Sequence, residues 1–88
     1  MTTQTFTITS NEGLHARPAS ALVQAAAKFT ADIFVQYGDK NVNLKSILGV
    51  MSLGVPNGGV ITITASGADE EEAITQLTAT LQQQGLIA

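Results

Sequence analysis

The sequence predicts an α+β fold, an open-faced β-sandwich in which a four-stranded antiparallel sheet carries three helices on one face (βαββαβα). Segments with apolar residues at every second position alternate with segments whose apolar residues recur at helical spacing. The order of these segments is strand, helix, strand, strand, helix, strand, helix. Right-handed crossovers between strands one and two, and between strands three and four, connect them at low cost, and we expect each crossover to skip one strand of the antiparallel sheet.

The first half of the chain contains the first helix and three of its strands. Alternation over residues 5–9 predicts the first strand, and the apolar stripe of residues 16–29, rich in alanine, predicts the first helix. Residues 32–37 alternate again, Gly38-Asp39 marks a turn, and residues 40–44 form a short partner strand. A strand, a helix and a hairpin therefore come first.

A short second helix follows the hairpin. We expect Ser46 to cap its start and Gly54 to end it, with its apolar positions between them. The sequence Pro56-Asn57-Gly58-Gly59 is a strong turn signal, and the β-branched residues of 60–65 predict the fourth strand.

The last helix is predicted to begin near Asp69. Asp69 and Glu72 have the spacing of a capping box, and the acidic run from 69 to 72 suits the positive end of a helix dipole. Gly85 lies where a C-terminal cap is expected. We therefore interpret the acidic run as helix-start electrostatics, with an acidic binding site as the weaker alternative.

Length and composition limit the classes of function. The 88 residues, 9.1 kDa, leave room for one domain spanning residues 1–88. The chain has no cysteine and one histidine, His15, which excludes disulfides, thiol catalysis, thiolate metal sites and multi-histidine metal sites. The net charge of −3 argues against a broad nucleic-acid surface. We expect neither cofactor nor metal.

Sequence features also predict where the protein resides. No apolar stretch approaches the roughly 20 residues that a membrane span requires. The N-terminal residues MTTQTFTI lack the basic start and long apolar run of a signal peptide. We therefore expect a cytoplasmic protein with no membrane contact.

The segment between the first strand and the first helix contains the candidate chemical group. Pro18 is tolerated in the first helical turn, which places His15 at or near the N-cap. The free N–H groups of Ala16 and Arg17, together with the Arg17 guanidinium, favour an anion at that point. This combination favours reversible phosphorylation of the imidazole. Residue pattern alone also leaves open a solvated surface histidine without function.

Two segments of this chain carry a resemblance to a known family. Residues 13–19 (GLHARPA) resemble the active-site signature of HPr, the histidine-containing phosphocarrier of the bacterial phosphoenolpyruvate-dependent sugar phosphotransferase system. Residues 43–54 (NLKSILGVMSLG) resemble the regulatory serine region of the Gram-positive type of this family. Length and element order match too, so the resemblance covers essentially the whole chain.

The resemblance implies a role for each residue of the first segment. His15 would accept a phosphoryl group on Nδ1 from phospho-enzyme I and pass it to sugar-specific enzyme IIA proteins. Arg17 would steady the phosphoryl group during transfer, and the amides of Ala16 and Arg17 would bind it. The protein would then be a transiently phosphorylated carrier and not an enzyme.

The resemblance of the second segment, residues 43–54, implies a regulatory phosphorylation site and a docking surface for partner proteins. Ser46 would be phosphorylated by a regulatory serine kinase/phosphorylase, although a helix cap without regulation is the alternative reading. Ile47, Leu48 and Met51 would form a partly exposed docking patch, whereas we expect Val50 to be mainly core. Leu48 departs from the methionine of many Gram-positive relatives, which puts partner preference in doubt.

Two other classes of function compete with the carrier. The first is a regulatory adaptor whose Ser46-phosphorylated form binds a transcription factor such as catabolite control protein A. The second is a small α+β binding module without phosphorylation. A role in nitrogen-related signalling is also open, although the Ser46 region favours the sugar pathway. Because transient partners must reach the docking patch, we expect a monomer.

Overall fold

The computed structural model describes residues 1–88 and shows the predicted order of elements. The elements are β1 (Thr2–Thr7), α1 (Ala16–Ala26), β2 (Asp32–Tyr37), β3 (Lys40–Asn43), α2 (Ile47–Ser52), β4 (Val60–Ser66) and α3 (Glu70–Gln83). The predicted α+β fold with a four-stranded antiparallel open sheet and three helices is confirmed.

The four strands form one sheet in the order β1-β4-β2-β3, and every neighbouring pair is antiparallel. The connection through α1 passes from β1 over β4 to β2, and the connection through α2 passes from β3 over β2 to β4. Each crossover therefore skips one strand, as predicted. Strand β4 lies between β1 and β2, so Ile63 pairs with Gln4 on one side and Val35 on the other.

The two faces of the sheet have opposite character. Alternate residues of β2 and β4 point into the core, whereas those between them face solvent. On the open face, the hydroxyls of Thr3 and Thr64 are 3.4 Å apart, and those of Thr5 and Thr62 are 3.2 Å apart. Hydroxyls paired across strands give this face a polar surface that tolerates contact with water.

The core is an apolar cluster of 21 buried residues between the sheet and the helices, and it contains no buried polar or charged side chain. Leu22 of α1 and Leu77 of α3 are among its largest fully buried members. Ala19 and Ala26 are also fully buried on α1, where small side chains let the helix approach its neighbours closely. None of the helices is long and apolar enough to cross a membrane.

The largest differences from the predicted boundaries are in β1 and α1, whereas β3 and β4 each differ by one residue at their ends. The first strand begins at Thr2 and ends at Thr7, although Ile8 still exchanges backbone hydrogen bonds with the residues before β4. Helix α1 ends at Ala26, three residues earlier than predicted, because the amides of Lys28 and Phe29 donate to carbonyls three positions back. Such tightened turns commonly end helices.

The predicted capping box of the last helix is wrong. The side chain of Asp69 makes no cap hydrogen bond; its two oxygens accept from the amides of Thr30 and Ala31, both at 2.9 Å. These bonds fix the start of β2 against the start of α3. The amide of Thr30 is the largest cause that holds the pKa of Asp69 below its ordinary 3.8, with partial burial acting in the opposite direction.

The predicted C-terminal cap of α3 is confirmed. Gly85 has φ +70, its amide donates to Gln82, and the amide of Leu86 donates to the carbonyl of Leu81 at 2.9 Å. This pair of bonds is the Schellman motif, which requires a left-handed residue that glycine adopts without strain. The motif turns the chain so that Leu86 is fully buried.

Candidate functional site

A short loop between β1 and α1 places His15 at the surface. Gly13 has φ +68, and the next amide, that of Leu14, donates to the carbonyl of Val55 at 2.9 Å. A Cβ built on Gly13 would lie 2.3 Å from the same carbonyl oxygen and 2.9 Å from Cα of Pro56. Only glycine therefore fits this position, and the segment before β4 fixes the loop that carries the histidine.

His15 is the N-cap residue of α1, as predicted. Its backbone is extended (φ −92, ψ 179), and its carbonyl accepts the amide of Ala19 at 3.0 Å. The imidazole makes no cap hydrogen bond, so it leaves the first helical amides free. The N–H groups of Ala16 and Arg17 have no helical partner, and Pro18 has no N–H to satisfy. Free donors therefore point out beside the imidazole.

The imidazole of His15 is half-buried and bonded to its own loop. Its Nδ1 lies 3.1 Å from the carbonyl oxygen of Gly13, an oxygen that also accepts the backbone amide of His15. Because a carbonyl only accepts, this contact is a hydrogen bond in the tautomer that carries its hydrogen on Nδ1 and its lone pair on Nε2. A reaction at Nδ1 would require both the loss of this hydrogen bond and the transfer of the ring hydrogen to Nε2.

Arg17 supplies a cation next to the free amides. It is exposed, and the only ion pair of the structure joins the N-terminal ammonium to Glu70, so no carboxylate neutralises the guanidinium. A guanidinium presents several donors that match the oxygens of a phosphate. No three potential metal ligands cluster anywhere in the protein. The site thus offers donors and positive charge to an anion.

The structure adds residues that the sequence analysis missed. An open depression follows the exposed side of α1 from the site and is lined by Ala16, Arg17, Ser20, Ala21, Gln24 and Gln84. Helical spacing from Arg17 was a sufficient signal for Ser20 and Gln24, which lie on the same face. Gln84 comes from the end of α3, and nothing local to its sequence indicates that it approaches α1.

Ser46 caps α2, as predicted. Its backbone is extended, and its Oγ accepts a hydrogen bond from the amide of Gly49 at 3.2 Å. The residue is exposed, so the hydroxyl is reachable from solvent. The neighbouring Lys45 donates from Nζ to the carbonyl of Phe29 at 2.7 Å, which ties the start of α2 to the turn that follows α1.

Helix α2 presents an apolar patch formed by Ile47, Leu48 and Met51, whose exposed fractions are 38%, 82% and 39%. Val50 points the other way and is only 1% exposed. The expected division between exposed patch and core is confirmed. Lys45 lies before the patch, and Lys40, whose Nζ is 3.5 Å from the carbonyl of Ser52, lies at the far end of the helix.

Comparison with known proteins connects this geometry with a family. Residues 2–83 match the family model PTS-HPr, described as the PTS HPr component phosphorylation site. A histidine-containing phosphocarrier protein from Mycoplasma is 41% identical, with 98% of each chain covered and a TM-score of 0.96. HPr from Thermoanaerobacter tengcongensis is 47% identical, with coverage of 97% of this chain and 96% of that one and a TM-score of 0.90.

A third similar structure belongs to a regulatory relative. Crh, the catabolite repression containing protein of Bacillus subtilis, is 42% identical over 100% of both chains, with a TM-score of 0.73. Its structure is a dimer with a swapped domain. The family match, the high identity and the common fold agree over nearly the whole length. This chain therefore belongs to the HPr family, the phosphocarrier proteins of the sugar phosphotransferase system.

Proposed function

We propose that His15 is the residue of this phosphocarrier that holds the phosphoryl group, accepting it from phospho-enzyme I and donating it to enzyme IIA proteins. The observation that carries the proposal is the position of the only histidine at the N-cap of α1, beside two free amides and the unpaired Arg17. The carrier role is inferred from family membership, and the assignment of that role to His15 is inferred from the geometry of the site. The protein is then the substrate of its partners and not a catalyst.

Transfer to His15 requires a change at the ring. The Nδ1–H bond to the carbonyl of Gly13 must break, with the ring proton held on Nε2. The freed Nδ1 lone pair then attacks phosphorus, a P–N bond forms, and the bond from phosphorus to the donor breaks. Charge on the phosphoryl oxygens is stabilised by the amides of Ala16 and Arg17 and by the guanidinium.

Mass measurement after phosphorylation tests the assignment. Incubation with phosphoenolpyruvate, magnesium and enzyme I is expected to add one phosphoryl group that is labile in acid and stable in base. The variant His15→Ala is expected to remain unmodified while keeping the wild-type circular dichroism spectrum. Normal phosphorylation of the His15→Ala variant would show that His15 is not the phosphorylated residue.

We further propose that Ser46 is a regulatory phosphorylation site served by a serine kinase/phosphorylase. Its hydroxyl is exposed at the start of α2 and borders the apolar patch of Ile47, Leu48 and Met51. A phosphate there changes the charge of a surface that a partner protein contacts. This proposal makes the protein a carbon catabolite regulator as well as a carrier.

The apolar patch is the proposed docking surface for enzyme I and enzyme IIA. Exposed apolar patches mark surfaces that proteins recognise, and the chain that leaves α2 reaches, at Val55, the loop that carries His15. Leu48→Ala is expected to raise the KM of enzyme I for this protein and to leave its urea unfolding midpoint unchanged, because Leu48 is 82% exposed. An unchanged KM would exclude Leu48 from the surface.

The regulatory adaptor is the second candidate function, and the similarity to Crh favours it as an additional role. In this role the Ser46-phosphorylated protein would bind a transcription factor such as catabolite control protein A. Label from phosphoenolpyruvate on His15 and label from ATP on Ser46 distinguish the two functions. We propose a monomer as the carrier form, and light scattering that shows only dimer would contradict this.

A further inference from the structure

The turn between α2 and β4 holds an asparagine-glycine pair on the surface. The amide of Gly59 donates to the carbonyl of Pro56 at 2.9 Å, and Gly58 has φ +88. These features describe a type II turn with Asn57 and Gly58 as its central residues. Both are exposed, and neither takes part in the proposed phosphoryl site.

We propose that Asn57 is a site of spontaneous deamidation in this protein, and that the isoaspartate formed there displaces the loop that carries His15. The backbone nitrogen of Gly58, after losing its proton to hydroxide, attacks Cγ of Asn57. A C–N bond forms, the carboxamide C–N bond breaks, and the departing NH2 group takes a proton from water and leaves as ammonia, which regenerates the hydroxide. Water then opens the resulting succinimide at either carbonyl, which gives aspartate or β-linked isoaspartate.

The other three asparagines are less suited to this reaction. The glycine after Asn57 has no Cβ to hinder the approach of its nitrogen to the asparagine side chain. Asn11 is followed by a glutamate, whose side chain hinders this approach. Asn41 and Asn43 belong to β3 and precede valine and leucine. The side-chain oxygen of Asn43 also accepts the amide of Lys45 at 2.8 Å. Asn57 is the one that combines a glycine neighbour with an exposed turn.

One backbone hydrogen bond restrains the reaction in the folded protein. The amide of Gly58 donates to the carbonyl of Ile8 at 2.7 Å, and the amide of Ile8 donates to the carbonyl of Gly59 at 2.8 Å. The nitrogen of Gly58 can attack only after its hydrogen bond to the carbonyl of Ile8 breaks. Local opening at this end of the β1–β4 pair therefore controls the rate, and the unfolded chain reacts faster.

The turn also contacts the loop before His15. The carbonyl of Val55 holds the amide of Leu14, and Pro56 lies against Gly13 so closely that a Cβ there would meet its Cα at 2.9 Å. An isoaspartate at 57 lengthens the backbone by one carbon-carbon bond, about 1.5 Å. It also adds a negative charge directly after Pro56. The consequence for phosphoryl transfer rests on the role proposed for His15.

The experiment has two parts. Folded protein is incubated at mildly alkaline pH, and each asparagine is followed by peptide mass mapping and by an isoaspartyl methyltransferase. We expect conversion to concentrate at Asn57, to accelerate in urea and to disappear in Asn57→Gln, whose longer side chain forms the ring poorly. Loss of amide at another asparagine while Asn57 stays intact would overturn the modification.

The second part measures the consequence. Ion exchange separates the deamidated protein from the amide form, and reversed-phase chromatography then resolves the isoaspartate form from the aspartate form. Phosphorylation of the isoaspartate form by enzyme I is compared with that of Asn57→Asp, which has the same charge and an ordinary backbone. We expect the isoaspartate form to be slower by about 10- to 100-fold, the cost of displacing a reacting group by about 1 Å. Equal rates would overturn the coupling. Should His15 not be the phosphorylated residue, a shifted amide resonance of Leu14 still supports the displacement, and an unshifted one overturns it.

Discussion

The amide of Leu14 donates to the carbonyl of Val55 at 2.9 Å, and through this bond the segment before β4 fixes the loop that carries His15. The bond is possible because Gly13 has no side chain: a Cβ there would lie 2.3 Å from the Val55 oxygen. The position of the imidazole at the N-cap of α1 thus depends on two parts of the chain that are far apart in sequence.

Gly13→Ala is expected to destabilise the protein by more than its backbone conformation alone explains. A left-handed residue other than glycine costs about 1–3 kcal/mol. Gly38 is the matched control, since it has φ +62 and open space around its Cβ position. Urea denaturation should show a larger loss for Gly13→Ala than for Gly38→Ala, and equal losses would show that the Val55 contact is unimportant.

Arg17→Ala is expected to slow phosphoryl transfer to enzyme IIA with little loss of stability. Arg17 is exposed in the first turn of α1, so few core contacts change. Removing one positioned donor to a transferring group costs roughly 10²-fold in rate. Arg17→Lys keeps the positive charge but lacks the planar pair of donors, so its transfer rate should lie between those of the wild type and Arg17→Ala. Rapid-quench kinetics at the wild-type rate for Arg17→Ala would contradict the role.

Ser46→Asp is expected to slow phosphorylation of His15 by enzyme I while the circular dichroism spectrum stays near wild type. The new charge lies at the positive end of α2, where the helix accommodates it, but borders the apolar patch. A partner with an acidic or apolar surface there would bind about tenfold more weakly.

Ser46→Asn is the control, because asparagine keeps a capping side chain without the charge. It should react at the wild-type rate. If both variants and the authentic Ser46-phosphorylated protein match wild type, the switch does not exist. A collapsed spectrum for Ser46→Asp would instead refute the charge-based mechanism.

The free energy of unfolding is expected to fall as the pH drops below about 4. Asp69 has a folded pKa below its ordinary 3.8, so its contribution is present above that value and is lost as the pH falls toward the folded pKa. Glu70, whose pKa the N-terminal ammonium and Thr2 lower to about 2, adds to the loss below about 4.5.

In Asp69→Asn the free energy of unfolding should depend less on pH, because the amide at position 69 does not titrate. The pH dependence that remains should be the part contributed by Glu70. Urea melts of both proteins between neutral pH and pH 2 make the comparison. Parallel curves for the variant and the wild type would mean that the bonds from Thr30 and Ala31 to Asp69 are not formed in solution.

Local patterns predicted the helices, their caps at Ser46 and Gly85, and the N-cap position of His15, because each depends on residues within one or two turns. The function of Asp69 was missed for the opposite reason. Its spacing to Glu72 fits a capping box, but the folded protein brings the amides of Thr30 and Ala31 to its carboxylate. Tertiary contact outweighed the local preference.

The same distinction applies to the site. Residues 13–19 carried enough pattern to place His15, Arg17 and the free amides together. The bond from Leu14 to Val55, the approach of Gln84 to α1 and the contact of Nδ1 with Gly13 depend on the folded chain, and no spacing encodes them.

The central claim is that Nδ1 of His15 holds the phosphoryl group against the start of α1. The most direct test is an NMR spectrum of the uniformly ¹⁵N-labelled protein before and after phosphorylation by enzyme I. We expect a phosphorus-nitrogen coupling at Nδ1, release of Nδ1 from the carbonyl of Gly13, and downfield shifts of the Ala16 and Arg17 amides as they donate to the phosphate. A phosphorus-nitrogen coupling at Nε2, or unchanged chemical shifts of the Ala16 and Arg17 amides, would contradict the account.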